Sequence, residues 1–140
     1  MSKPRNGIAE SEWAILKVLW EREPCTAPDV TEALLSSKGW AYSTVRTTMD
    51  RMVAKGLLTS EKIRHMDLYR PAVSRKQAQR GELLATLKRA FDGALTPMVQ
   101  CLLDSHALSA EELRALEAML KEERAQAGGA GAAQKQTKNG

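Results

Sequence analysis

Aromatic residues are scarce in this chain: three Trp, two Tyr and one Phe make up 4% of 140 residues. A core built from this composition is therefore aliphatic, drawn from Leu, Val, Ala and Met, with Trp13, Trp20 and Trp40 confined to the first third. Cysteine is equally sparse. Cys25 and Cys101 stand far apart with no Cys-x-x-Cys spacing, which excludes a zinc-finger set and a disulfide framework and leaves both thiols reduced. The two histidines, His65 and His106, have no Cys, Asp or Glu at ligand spacing, so no metal is expected. No Gly-rich phosphate loop, no clustered His/Asp/Glu set and no nucleophile with an evident base is present, and enzymatic function and a cofactor are not expected. No apolar run approaches the roughly 18 residues of a spanning helix, which excludes membrane insertion by that route. The opening Met-Ser-Lys-Pro-Arg-Asn-Gly lacks the apolar stretch of a signal peptide, and the expected location is cytoplasmic.

The length suits one domain, or a small domain with an appended helical arm. At 43% hydrophobic and 27% charged residues, most of the chain can find a core. The net charge of +4 is unevenly spread. Lys38 to Arg80 carries 10 Lys/Arg against 3 Asp/Glu, between flanking thirds in which acids outnumber bases. A basic central segment is either the footprint of a polyanion partner, whose condensed counterions are released as phosphates are neutralised, or simply a solvated face.

Trp13, Leu16, Leu19 and Trp20 recur at helical spacing, with Ile15 and Val18 widening the stripe, and predict a buried helix over 10–21 that Pro24 stops. Thr26 as a cap, Pro28 in the first turn and Asp29 at the positive end predict a second helix, with Val30, Ala33 and Leu34 inward. A third runs over 42–55 and closes at Gly56. On a helical wheel Val45, Met49, Met52 and Val53 share one side. Ser43, Thr44, Thr47, Asp50, Arg51 and Ala54 share the other, with Arg46 on its flank. Two β-branched or aromatic runs, 57–63 and 68–73, flank the polar turn Arg64-His65-Met66-Asp67 and predict a hairpin. Three short helices followed by a basic hairpin describe a winged helix-turn-helix, in which the third helix enters the DNA major groove and the wing lies along the backbone.

From Ser74 the chain turns helical again. Ser74 and Gln77 stand in capping-box register, and Leu83, Leu84, Leu87 and Phe91 form one stripe up to Gly93. Thr96-Pro97 opens a shorter helix through Leu103. Ser109 to Glu112 forms a second box before Leu113, Leu116, Met119 and Leu120. None of these helices buries its stripe alone, so an identical chain is the expected partner and Leu84, Leu87, Phe91, Leu113, Leu116, Met119 and Leu120 the dimerisation residues. The fold expected is mostly α: a winged-helix domain over 1–73, a three-helix dimerisation arm over 74–126, and a disordered Gly/Ala-rich tail over 127–140.

These residues resemble the penicillinase-repressor family, which groups β-lactam- and methicillin-resistance repressors with copper-responsive relatives. The resemblance covers about Ile8 to Arg124. It is carried by Glu12-Trp13 with Ile15-Leu16-Lys17-Val18-Leu19-Trp20, by Trp40-Ala41-Tyr42-Ser43-Thr44-Val45-Arg46-Thr47, by Arg51-Met52-Val53-Ala54-Lys55-Gly56-Leu57 and by Leu108-Ser109-Ala110-Glu111-Glu112-Leu113. It implies a homodimeric repressor that occupies an inverted-repeat operator in double-stranded DNA, commonly with a TACA/TGTA core, its half-sites about one helical turn or a multiple apart. In the resistance repressors a membrane metalloprotease pathway ends in cleavage of an Asn-Phe bond, which aligns here with Cys101-Leu102, where the Asn is absent. The copper branch carries paired Cys-x-Cys motifs where this chain has its Gly/Ala-rich tail, which argues against copper sensing. In the wing, Asp67 replaces a family aromatic and leaves Tyr69 as the hairpin's only aromatic.

Within that frame Arg46 is the first choice for a bidentate guanine contact, the alternatives being a phosphate or a pair with Asp50 four residues on. Thr47 suits a thymine methyl or a base edge. Ser43 and Thr44 at the positive end of the helix favour phosphate, or Ser43 caps the helix, since Ala41 cannot. Arg51, Lys62 and Arg64 suit phosphate, with plain solvated charge the alternative for the wing pair. The competing reading of the whole chain is a winged-helix protein–protein interaction module that never reads DNA.

Overall fold

The computed structural model describes the backbone of residues 7–139 and the side chains up to residue 128. Its elements follow in the order α1 Glu10–Glu21, α2 Ala27–Ala33, α3 Tyr42–Lys55, β1 Leu58–Ile63, β2 Met66–Pro71, α4 Arg75–Phe91, α5 Leu95–Asp104 and α6 Ala110–Asn139. The chain divides into two compact units, residues 1–93 and 94–140.

The first unit is a winged helix-turn-helix, and its core sits where the three helical stripes meet the base of the wing. Ile15, Leu16 and Leu19 of α1, Val30 of α2, and Val45, Met49 and Met52 of α3 are fully buried, joined by Leu57, Leu58 and Tyr69. The tryptophans lie at the margin of this core. Trp13 and Trp20 are half-buried and meet edge to face with ring centroids 6.0 Å apart. A Trp side chain has a polar N–H to satisfy, and Trp20 does so at the periphery by donating to the Val73 carbonyl at 2.9 Å.

Local chemistry fixes the helix ends. Thr26 Oγ1 accepts the Asp29 N–H while the Asp29 carboxylate accepts the Thr26 N–H, a closed capping box at the start of α2. α3 begins at Tyr42 after Ala41, which offers no side-chain cap, so Ser43 lies inside the first turn and does not cap it. It ends at Gly56, whose φ of 86° is the left-handed conformation that a side chain would strain.

β1 and β2 pair antiparallel with Ile63 opposite Met66, Lys62 opposite Asp67 and Ser60 opposite Tyr69. The turn is therefore Arg64-His65 alone, with Arg64 at φ 61°, and Met66 and Asp67, expected in the turn, belong to β2. A two-residue connection matches the twist of the paired strands once its first residue accepts a positive φ, which extends the ladder to residue 66. The hairpin also gains a partner that periodicity does not announce. Cys25, between α1 and α2, bridges to Tyr69, each amide donating to the other's carbonyl at 3.1 and 2.8 Å.

α4 is grouped with the first unit, past the boundary at 73 that the sequence suggests. Its start is tied down: the Arg75 guanidinium lies 5.0 Å from the Trp20 ring centroid and Ala78 is buried. The Ser74–Gln77 box closes as expected, and α4 ends at Asp92 and Gly93, both left-handed. In the second unit the Ser109–Glu112 box opens α6. The span of α6 includes residues expected in the disordered tail; the side chains of that tail past residue 128 lie outside the described residues.

Candidate nucleic-acid interface

Burial of Val45, Met49 and Met52 settles which side of α3 is free. Ser43, Thr44, Thr47, Asp50, Arg51 and Ala54 are all exposed, as one contiguous polar face. Short side chains on most of that face let the helix backbone approach another surface closely, and Arg51 projects from it with no ion-pair partner among the described residues. Thr48, on the edge of the face, is turned inward: its hydroxyl donates to the Thr44 carbonyl at 2.8 Å.

The wing stands beside this face. Lys62 and Arg64 are exposed, and the apolar pair at the hairpin tip, Ile63 and Met66, is exposed with them. Lys62 is drawn toward its cross-strand neighbour, with Nζ 3.6 Å from Asp67 Oδ1. Between the start of α2, the start of α3 and the wing lies a cleft of about 170 Å³ lined by Thr26, Pro28, Tyr42, Arg46, His65 and Asp67 among others.

Arg46 occupies the flank of α3 that looks into this cleft, and every nitrogen of its guanidinium is engaged. Nε donates to Asp50 Oδ2 at 3.1 Å, Nη1 to the Tyr42 hydroxyl at 3.3 Å and Nη2 to Asp67 Oδ2 at 2.7 Å. Asp50 in turn accepts the Tyr69 hydroxyl at 2.8 Å. The hydrogen bond with Tyr42 and the neighbouring phenol of Tyr69 and carboxylate of Asp50 push the Arg46 pKa up from an already high value. Burial first, then the hydrogen bond to Asp50 and its charge, raise the Tyr69 phenol. The Asp50 pairing is legible as an i, i+4 spacing. Tyr42, four residues before Arg46, carries the same local signal. Asp67 and Tyr69 are not found by sequence reasoning: Asp67 is 21 residues away, and its contact becomes visible only once the short turn pairs it across the ladder with Lys62.

A separate ion pair anchors the far end of the helix. Lys55 Nζ donates to both oxygens of Glu12, at 2.9 and 2.7 Å, and Glu12 also accepts the Ala9 N–H at 2.8 Å. Glu12 is the one buried charged side chain among the described residues, at 5% exposure against 32% for Lys55. With Arg46, Lys55 and Lys62 paired internally, the charge of the central segment that has no ion-pair partner among the described residues is carried by Arg51, Arg64, Arg70, Lys76 and Arg80, with Lys38 and Arg75 resting over Trp40 and Trp20.

The dimerisation candidates are left largely uncovered. Leu84, Leu113, Met119 and Leu120 are exposed, and Leu87, Phe91 and Leu116 half-buried. Cys101 and Leu102 lie within α5 and are both exposed. Among the described residues no group of His, Cys, Asp and Glu could hold a metal ion, and no helix is long and apolar enough to cross a membrane.

Comparison with known proteins finds several relatives. The chain is 27% identical over 115 residues to the penicillinase repressor of Bacillus licheniformis, covering 82% of this chain and 90% of that one. It is 21% identical over 113 residues to the methicillin resistance regulatory protein MecI of Staphylococcus aureus, covering 81% and 92%. Over 86 residues it is 31% identical to the transcriptional regulator BlaI of Mycobacterium tuberculosis, covering 61% and 62%. The solution structure of the DNA-binding domain of the repressor BlaI superposes with a TM-score of 0.48 at 24% identity, covering 54% of this chain and 92% of that one. The penicillinase repressor family model matches residues 8–122, and the chain belongs to that family.

Proposed function

We propose that this protein is a sequence-specific DNA-binding transcriptional repressor that acts as a homodimer on an inverted-repeat operator. The observation that carries the reading is the exposed polar face of α3, held outward by a fully buried opposite stripe and flanked by a basic wing. A helix presented in this way fits the major groove, with the hairpin along the adjoining backbone. The family is one of repressors, with no enzyme among the relatives named above, and one of its members has been described in complex with a half-operator.

On this reading Thr47 touches a thymine methyl or base edge and Arg46 a guanine. Ser43 and Thr44 meet phosphate at the positive helix end, and Arg51, Lys62 and Arg64 hold phosphates that set register. The exposed leucines and Met119 of the C-terminal helices cover one another across a two-fold axis, which spaces the two α3 helices for the two half-sites. The working location is the cytoplasm, where the DNA is. Induction by a membrane metalloprotease pathway would act at Cys101–Leu102, and its readout is a fragment ending at Cys101 in induced cells.

The test is a titration of the full chain against a duplex from the promoter beside its own gene and against a shuffled duplex of the same composition. Preference for the promoter, with affinity falling steeply as salt rises, is expected. Equal binding to both duplexes overturns the reading.

A further inference from the structure

The inference that follows rests on the DNA-reading function just proposed and concerns its selectivity. Arg46 is balanced by two carboxylates, Asp50 on its own helix and Asp67 on the wing, and both are braced from behind: Tyr69 donates to Asp50 and Lys62 faces Asp67. The Asp67 contact is the shortest of the set at 2.7 Å, is more sheltered than that of Asp50, and is the one that joins two elements. A guanidinium already neutralised in this way gains little from a phosphate, because the cation released from the DNA is offset by the carboxylate left unpaired. A phosphate displacing Asp67 would moreover stand beside two carboxylates and be repelled by them. A guanine edge is neutral and offers O6 and N7 side by side to the same fork, so it can take the place of Asp67 without that repulsion.

We propose that Asp67 is a specificity-determining residue: it withholds Arg46 from the phosphates that every DNA presents and yields it to a guanine edge at one position of the operator. Its role is to silence a cation on DNA at large. A side chain without a carboxylate at this position could not do so.

The experiment measures binding of the full chain to the promoter duplex and to the shuffled duplex across a range of salt, for the native protein, Asp67→Asn, Arg46→Ala and the double variant. Asp67→Asn is expected to bind the shuffled duplex several-fold more tightly. Its slope of log affinity against log salt steepens by about 1, the signature of one further phosphate contact. Arg46→Ala should lose roughly 5- to 150-fold on the promoter duplex, the range for one good bidentate base contact, and keep its affinity for the shuffled one. Adding Arg46→Ala to Asp67→Asn should cancel the gain. Unchanged affinity and slope for Asp67→Asn, or equal losses on both duplexes such as a merely loosened wing would cause, overturn the proposal. So does a loss on the shuffled duplex in Arg46→Ala, a result that does not depend on how well Asp67→Asn folds. Failure of the native protein to distinguish the two duplexes is a separate outcome and removes the DNA-reading function itself.

Discussion

The two units of this chain solve the burial problem differently. Within residues 1–93, α1 to α3 and the hairpin enclose a full set of buried aliphatic side chains, so each amphipathic stripe of those three helices finds its complement there, whereas the α4 stripe of Leu83, Leu84, Leu87 and Phe91 does not. In residues 94–140 no described side chain is buried, and Leu95, Leu102, Leu103, Leu113, Met119 and Leu120 are exposed together. So many large aliphatic groups exposed together mark an interaction surface more often than a bare one. The winged-helix part of the first unit closes its own core, and α4 and the second unit leave their apolar stripes uncovered.

Breaking the first unit should therefore cost the most. Lys55→Met leaves the buried Glu12 carboxylate with the Ala9 amide as its remaining partner, and a loss of about 3–5 kcal/mol in urea unfolding is expected. Glu12→Gln should cost less, because the Lys55 ammonium, a third exposed, returns to water. Leu16→Ala opens a cavity in the same core and should cost about 2–5 kcal/mol. Thr26→Ala removes one arm of the α2 capping box and should lower stability by about 1 kcal/mol in the same assay. Alkali sharpens the picture further. Burial raises both the Tyr69 phenol and the Cys25 thiol above their ordinary values, so above about pH 9 to 10 the unfolded chain loses protons that the folded chain keeps. Stability should then fall as pH rises, with the urea midpoint lower at pH 11 than at pH 8 and part of that drop absent in Tyr69→Phe. In the second unit, Leu120→Ala should leave urea unfolding of dilute protein within about 0.5 kcal/mol of native. It should instead shift the monomer–dimer balance seen by analytical ultracentrifugation. A loss there as large as that of Leu16→Ala would erase the contrast between the units.

How much of this the sequence discloses depends on the range of the interactions involved. α1 and α3 are readable to their ends because a 3.6-residue stripe, a proline and a left-handed glycine are all local signals, and the inward set of Val45, Met49 and Met52 follows from the same wheel. The tryptophans are placed too deep by hydrophobicity alone: all three are half-buried, and Trp20 satisfies its N–H at the edge of the core. The hairpin is readable but its turn is not. Met66-Asp67 looks like loop, and only strand pairing decides that Arg64 takes the positive φ. The polar face of α3 is legible as a face, whereas the engagement of Arg46 by Asp67 is a contact across 21 residues that no local pattern encodes. The same holds for the Cys25–Tyr69 bridge, a single pair of residues without periodicity.

That bridge has a bearing on the order in which the molecule assembles. Cys25 and Tyr69 are 44 positions apart, so their two backbone hydrogen bonds close a long loop whose entropy is met as α2, α3 and the hairpin pack together. Once closed, the bridge makes the segment between α1 and α2 a third, one-residue rung of the wing. The amides of Cys25 and Tyr69 should then exchange with solvent on the timescale of global unfolding, while those of Arg64 and His65 at the tip exchange far sooner. The wing is in this sense a lever with one end tied to the core by backbone hydrogen bonds and the other, at Arg64-His65, standing in solvent.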